Sequence, residues 1–163
     1  MRKAIAAARE AIPKGQTPFG CCIVRGGEVL ARAHNEVWAR TDITAHAEVL
    51  ALRRACERAG DVHLRGAVLY TTTEPCPMCF SAAHWAAVER VVYGARIPDA
   101  VRAGFRELSI PAEDMARLGG SSVRVQGGLL AGECAALFEA WLASGKARTY
   151  SVSYTHLTLP TKA

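Results

Sequence analysis

Two short motifs place four side chains that could hold and use a metal ion. His46 and Glu48 stand two residues apart, and further along the chain Cys76 and Cys79 stand three residues apart. One imidazole and two thiolates make three zinc ligands, and no fourth Cys or His stands at matching spacing beside His46. Structural zinc sites are closed by four ligands, whereas three leave one coordination position for water. The motifs therefore predict a catalytic zinc site.

Both cysteines of the second motif are expected to bind the ion, whereas only one residue of the first motif is. On a helix that begins near Pro77, a three-residue step puts both sulfurs on one face, and proline suits a first helical position. The partial positive charge at the N-terminal end of this helix favours the thiolate form of the two cysteines. A two-residue step separates side chains by about 200° around a helix, so His46 and Glu48 are not both expected to bind the ion. We expect His46 to bind zinc and Glu48 to carry the proton of the bound water.

Composition narrows the class of protein. The chain of 163 residues fits one domain, and no stretch approaches the about 20 apolar residues of a membrane span. Residues 1–12 alternate charge with alanine and lack the apolar core of a secretory signal. Cys21, Cys22, Cys56 and Cys134 are expected to be buried free thiols, which suits a reducing cytoplasm. The net charge of +5 is spread along the chain and gives only a weak indication of RNA binding.

Apolar periodicity predicts alternating helices and strands. Helices are predicted over 1–12, 45–59, 77–87, 111–118 and 132–143, and strands over 20–24, 28–33, 67–72, 90–94 and 122–125. Gly26 and Gly27 predict a tight hairpin, and Asp42 or Thr44 is predicted to cap the second helix. If the second and third helices begin close together, His46 and the cysteines reach one ion. The pattern predicts a three-layer α/β/α domain with a mixed five-stranded sheet.

With these motifs the chain resembles the cytidine deaminase superfamily, in the branch that holds guanine deaminases and tRNA adenosine deaminases. The resemblance rests on Pro18-Phe19-Gly20, Asp42-Ile43-Thr44-Ala45-His46-Ala47-Glu48 and Glu74-Pro75-Cys76-Pro77-Met78-Cys79, which contain the H-x-E and P-C-x-x-C signature of zinc-dependent base deaminases. The sequence departs from these families at Ile43, where they usually carry proline. The resemblance implies a cytidine deaminase-like fold, Zn²⁺ as cofactor and hydrolytic removal of an amino group from a base.

Two segments point to different branches. Ala103-Gly104-Phe105-Arg106-Glu107, together with His84-Trp85-Ala86, is similar to guanine deaminases, whereas residues 128–137 resemble the last helix of the tRNA enzymes. Because that helix is expected far from the chemistry, we favour a free purine base, guanine converted to xanthine and ammonia. A tRNA wobble-adenosine deaminase is the alternative. Cytosine and a triazine also stay open, and a non-catalytic zinc module would leave Glu48 without a role.

The resemblance implies several substrate contacts. Asn35 is implied to hydrogen-bond the base edge, and the backbone N–H of Ala47 to orient water and product. Glu107 stands where guanine deaminases carry an aspartate that contacts the N1 and amino side of the ring. Phe19 and Trp85 are candidates to stack on the base, with a core position as the alternative for both and favoured for Phe19.

The C-terminal part divides at Tyr150. Residues 146–150 resemble the ending of guanine deaminases, whose terminal segment covers the active site of a partner subunit, so Tyr150 is a candidate lid residue. Residues 151–163 change composition abruptly and resemble a translated sequencing adapter, so we expect a non-native tail there and the deaminase domain over 1–150. The resemblance also implies a homodimer.

Overall fold

Within residues 1–150, which the computed structural model describes, five strands form one mixed sheet in the order β2-β1-β3-β4-β5. The strands are β1 Gly20–Arg25, β2 Glu28–His34, β3 Ala67–Thr73, β4 Arg90–Ala95 and β5 Arg124–Gln126. β1 pairs antiparallel with β2 and β3, whereas β3, β4 and β5 run parallel. The predicted mixed five-stranded sheet is confirmed. The predicted tail over 151–163 lies outside the described residues.

Helices cover both faces of the sheet. They are α1 Arg2–Ala11, α2 Val37–Arg40, α3 Ala47–Ala59, α4 Pro77–Trp85, α5 Ile97–Arg102, α6 Ala112–Leu118 and α7 Ala131–Ala143. α1 and α7 contact each other and the sheet on one face, while α3 packs against β1 and β2 with α4 beside it. Successive residues of a strand face opposite sides of the sheet. In β1, Gly20 faces α1. The next residue, Cys21, pairs with Thr71 of β3, and the Thr71 side chain contacts α3 on the other face. The predicted α/β/α layering is confirmed.

The predicted elements match the observed ones closely at their ends. Both ends of each of the ten predicted elements lie within two residues of the corresponding observed ends. Gly26 and Gly27 have φ of 57° and 83°, as a tight hairpin requires. α2 and α5 were not predicted, because helices of four and six residues are too short to show an apolar period. Within residues 1–150, no helix combines the length and apolar character that crossing a membrane requires.

Two glycines let helices lie directly on the sheet. A Cβ at Gly20 would lie 2.1 Å from the carbonyl oxygen of Ala4 and 2.6 Å from the nitrogen of Ala8, both in α1. A Cβ at Gly94 in β4 would lie 2.2 Å from the Sγ of Cys134 in α7. Ala4, Ala8 and Cys134 are fully buried. The layer of α1 and α7 therefore depends on the absence of side chains at these two strand positions.

We predict that Gly20→Ala lowers the free energy of unfolding by about 1–3 kcal/mol, because the added methyl meets backbone atoms of α1. Urea denaturation followed by circular dichroism measures it. Gly132→Ala is the matched control, since a Cβ at this α7 position meets nothing within 4 Å. It should leave stability unchanged or raise it by at most about 1 kcal/mol. Equal stabilities of the two variants would contradict the close α1–β1 contact.

Candidate active site

Two helices begin at the same place and bring the predicted metal ligands together. His46 immediately precedes α3 and Cys76 immediately precedes α4, both with extended backbone (ψ 153° and 164°). Cys79 lies in the first turn of α4. The ligand atoms of the three residues lie within 4.8 Å of one another. The Nδ1 atom of His46 is 3.7 Å from the Sγ of Cys76 and 3.5 Å from the Sγ of Cys79.

These three donors fit a zinc ion. Zn–S bonds of about 2.3 Å and Zn–N bonds of about 2.0 Å at tetrahedral angles separate nitrogen from sulfur by about 3.5 Å, close to the two distances found here. The hydrogen bond with the Cys79 thiol, and then the one with His46, lowers the pKa of Cys76 to about 4. Zinc binds the thiolate form. The geometry and the acidity of Cys76 therefore both suit a metal site.

A tight turn before α3 delivers His46. The Oδ1 atom of Asp42 accepts the backbone N–H of Thr44 at 2.8 Å and its hydroxyl at 2.6 Å. His46 follows as the residue that caps α3, without a side-chain cap bond. The predicted cap by Asp42 or Thr44 is therefore wrong, because the Asp42 carboxylate is engaged inside the turn. The imidazole at the helix start is left to face the two sulfurs.

Glu48 lies beside the cluster on the first turn of α3. Its side chain is only 5% exposed. The Oε1 atom accepts the Thr71 hydroxyl at 2.6 Å, and the Oε2 atom lies 3.4 Å from the Sγ of Cys79. Burial raises the pKa of this carboxyl. A carboxyl that is fixed in direction and titrates nearer to neutrality is suited to proton transfer.

A cavity of about 240 Å³ opens beside the metal ligands. Its wall contains residues from the α3 and α4 starts, the segment after α5 and the C-terminal segment: Ile43, His46, Cys76, Pro77, Met78, Phe105, Arg106, Glu107, Leu108 and Tyr150. Burial raises the pKa of the half-buried Glu107 to about 7, and the charges of Cys76 and Glu48 add to the effect. Glu107 and Tyr150, both expected substrate contacts, thus border one cavity with the metal ligands.

Asn35 and Tyr150 contact each other beside the metal ligands. The buried Asn35 accepts the backbone N–H of Val37 at its Oδ1 atom, and its Nδ2 atom donates to the Tyr150 hydroxyl at 3.1 Å. The Tyr150 ring lies 5.7 Å from the imidazole of His46. Arg148 stacks on the Trp38 ring at 3.8 Å and so holds the segment that ends at Tyr150. Within the described chain, Tyr150 therefore lies beside a metal ligand of its own chain.

The other expected contacts have different outcomes. Ala47 is buried as the first residue of α3, where a backbone N–H has no acceptor within the helix. Phe19 is a core residue, because it packs edge-on against Phe105 at 4.9 Å and Phe138 at 5.8 Å. The expectation that Trp85 stacks on a base is wrong for this cavity. Trp85 is 77% exposed and lies about 9 Å along the helix from Cys79, because α4 begins at the metal ligands and runs away from them.

Phe105 is a cavity residue that the sequence analysis did not single out. One side of its ring packs in the core against Phe19 and Trp141, with ring centroids 4.9 Å and 5.2 Å away. The residue also borders the cavity beside Glu107. Its place two residues before the expected Glu107 was the available signal. Phe105 takes the position at the cavity that was expected of Phe19.

Comparison with known proteins decides the family. Residues 1–95 match the family described as the cytidine and deoxycytidylate deaminase zinc-binding region. The chain belongs to this family. It therefore carries a deaminase domain of the zinc-dependent kind, and the three-donor cluster is where such a domain could hold its metal.

Relatives of two kinds are similar to this family member. It is 41% identical to a guanine deaminase of Bacillus subtilis strain 168 over 121 residues, which cover 70% of this chain and 78% of that protein. It is 42% identical to a tRNA-specific adenosine deaminase of Agrobacterium fabrum over 113 residues, 68% of this chain and 74% of that protein. A solved guanine deaminase from Nitrosomonas europaea superposes with a TM-score of 0.79 at 30% identity, covering 86% of this chain and 81% of that one. Because the two identities are nearly equal, they do not distinguish between guanine and tRNA adenosine as the substrate.

We predict that Cys79→Ala abolishes stoichiometric zinc binding, because it removes one of three converging donors. Metal analysis by mass spectrometry after dialysis against trace chelator measures zinc per chain. Cys56→Ala is the control, since Cys56 is a free thiol outside the cluster, and should retain zinc at the level of the unaltered protein. Retention of one zinc by Cys79→Ala would exclude this cluster as the site.

Proposed function

We propose that the protein is a hydrolytic deaminase of a free purine base, with guanine as the substrate and xanthine and ammonia as the products. The observation that carries this proposal is the half-buried Glu107 in the same cavity as His46 and Cys76. Guanine presents an N1–H and an amino group on one edge, both of which are donors, whereas adenine presents an N1 acceptor. A carboxylate that faces this edge favours guanine, because it accepts hydrogen bonds.

The metal and Glu48 divide the chemistry. His46, Cys76 and Cys79 would hold the zinc ion, which supplies a Lewis acid that lowers the pKa of water when it is bound. Glu48 takes a proton from the attacking water and delivers it to the ring nitrogen, and then passes a second proton to the leaving amine. A C–O bond forms and the C–N bond breaks, so the base and one water give the oxo base and ammonia. The Thr71 hydroxyl keeps the carboxylate directed at the cluster.

Asn35 and two aromatic rings provide the remaining contacts. Because the Oδ1 atom of Asn35 is held by Val37, its Nδ2 group is the one that points to Tyr150 and is available to an acceptor on the base. Phe105 and Tyr150 border the cavity with their ring centroids 6.1 Å apart and offer apolar surface to the ring. The backbone N–H of Ala47 contributes a donor near the metal ligands. Tyr150 acts as a lid supplied by the same chain.

A tRNA-specific adenosine deaminase is the second candidate, favoured by the comparable identity of the relatives named for that activity. In such an enzyme the adenine must be splayed out of a loop to reach the metal. A nucleotide joined to RNA on both sides would have to displace Tyr150, whereas a free base needs only a small cavity.

We also propose that the protein is a homodimer and that it acts in the cytoplasm. Light scattering coupled to gel filtration measures the oligomeric state.

The substrate proposal is tested by ammonia release from the zinc-loaded chain. We expect release from guanine, and little or none from adenine, cytosine or a tRNA anticodon stem-loop, because only guanine pairs two donors with Glu107. Coupled glutamate dehydrogenase detects the ammonia, and nucleoside analysis detects inosine in the RNA. Inosine in the stem-loop without ammonia from guanine would favour the second candidate. Bound zinc with no reaction on any of these would indicate a non-catalytic module.

We predict that Glu48→Gln keeps zinc near the unaltered level while kcat on the accepted base falls by at least about 10²-fold, the scale of a lost general acid–base group. Glu48→Ala should behave alike. Glu57→Gln is the control, because Glu57 lies exposed on the same helix and away from the cluster. Steady-state ammonia assays with parallel zinc analysis separate lost chemistry from lost metal. Near-normal turnover by Glu48→Gln would refute the assigned proton path.

A further inference from the structure

Glu74 is a buried carboxylate that the mechanism above does not use. It directly follows β3, stands two residues before Cys76 and is 5% exposed. Its Oε1 atom accepts the backbone N–H of Ala112 at 3.0 Å, and its Oε2 atom accepts the backbone N–H of Ile97 at 3.3 Å. Its own backbone N–H donates to Ala95 at 2.8 Å. Both oxygens are therefore engaged by main-chain donors.

The two donors bracket the segment that forms the cavity wall. Ile97 is the first residue of α5 and Ala112 the first of α6. Between these helices residues 103–111 form neither helix nor strand, yet they carry Phe105 and Glu107 to the cavity. The bond from the Phe105 N–H to Ala100 at 3.1 Å is local to this segment. Glu74 thus fastens the start of α5, six residues before this segment, and the start of α6, directly after it, to the stretch of chain that leads into Cys76.

We propose that Glu74 is a positioning residue that fixes the cavity wall, and Glu107 on it, relative to the metal cluster. The link to Glu107 as a purine contact rests on the proposed function. The physical reason is the chemistry of a carboxylate, which has two acceptor oxygens and no donor when ionised. A glutamine of nearly the same shape has only one acceptor. Its amide N–H₂ would face one of the two main-chain N–H groups and leave that helix start unfastened.

Hydrogen exchange of the zinc-loaded, substrate-free chain tests the tether. In Glu74→Gln we expect the backbone N–H group that faces the new amide, that of Ile97 or that of Ala112, to exchange about tenfold faster, the scale of one lost buried hydrogen bond. Exchange within α4 should not change. Glu113→Gln is the matched control, because this exposed α6 carboxylate accepts the Tyr93 hydroxyl instead. Unchanged exchange at both positions in Glu74→Gln would overturn the proposal.

A double-mutant cycle on guanine tests whether the tether acts through Glu107. We expect Glu74→Gln to raise KM about tenfold with kcat within about threefold, and to change KM by less than about twofold when Glu107→Gln is already present. Independent, multiplicative effects on KM would overturn the link to Glu107. A merely structural role would instead lower the apparent kcat together with the zinc content and leave KM unchanged, and metal analysis and thermal unfolding report such a loss.

The two proposals fail in distinguishable ways. No ammonia from guanine with the unaltered chain refutes the proposed function, while the exchange result still decides the tether. Ammonia from guanine with unchanged exchange in Glu74→Gln refutes the tether alone. If Glu74→Gln does not fold, Glu74→Asp takes its place. Its arm is one methylene shorter, so it reaches only one of the two donors, and the same exchange criterion applies.

Discussion

The convergence of two helix starts is the constraint on which the rest of the molecule depends. An imidazole before α3 and a thiol before α4 reach one point only because both helices begin at the same end of the sheet, with three ligand atoms within 4.8 Å. β3 connects the two helix starts, because its Thr71 holds Glu48 of α3 and its end leads through Glu74 to Cys76 before α4. The strand β1, which pairs with β3, lies directly on α1 at Gly20.

Acidic groups are concentrated around the cluster. Two thiols and the carboxyls of Glu48 and Glu107 lie near one another, and burial raises the pKa of both carboxyls. The like charges of Cys76 and Glu48 raise the pKa of Glu107 further. A divalent cation offsets this repulsion, so the metal and the folded site stabilise each other. The family's zinc, when bound by this cluster, would thus relieve the repulsion between these groups.

The sequence allowed prediction where a local pattern determines the structure. Helix and strand periods gave the ten main elements, and donor chemistry selected His46, Cys76 and Cys79, which the structure brings together. Contacts between distant segments left no such pattern. Trp85 was expected at the base, but the direction of α4 carries it away from the cavity. Phe105 was overlooked because its neighbours come from other elements. The bonds of Glu74 to Ile97 and Ala112 depend on a connection that no spacing encodes.

The position of Tyr150 bears on how the protein is handled. The described chain ends inside the site, with this side chain bonded to Asn35 and Arg148 stacked on Trp38. The amino-terminal α1 lies instead on the opposite side of the sheet from α3. A fluorophore, bead or fusion partner joined after Tyr150 would therefore be delivered to the mouth of the cavity and compete with whatever binds there. Attachment through α1 would leave that mouth accessible.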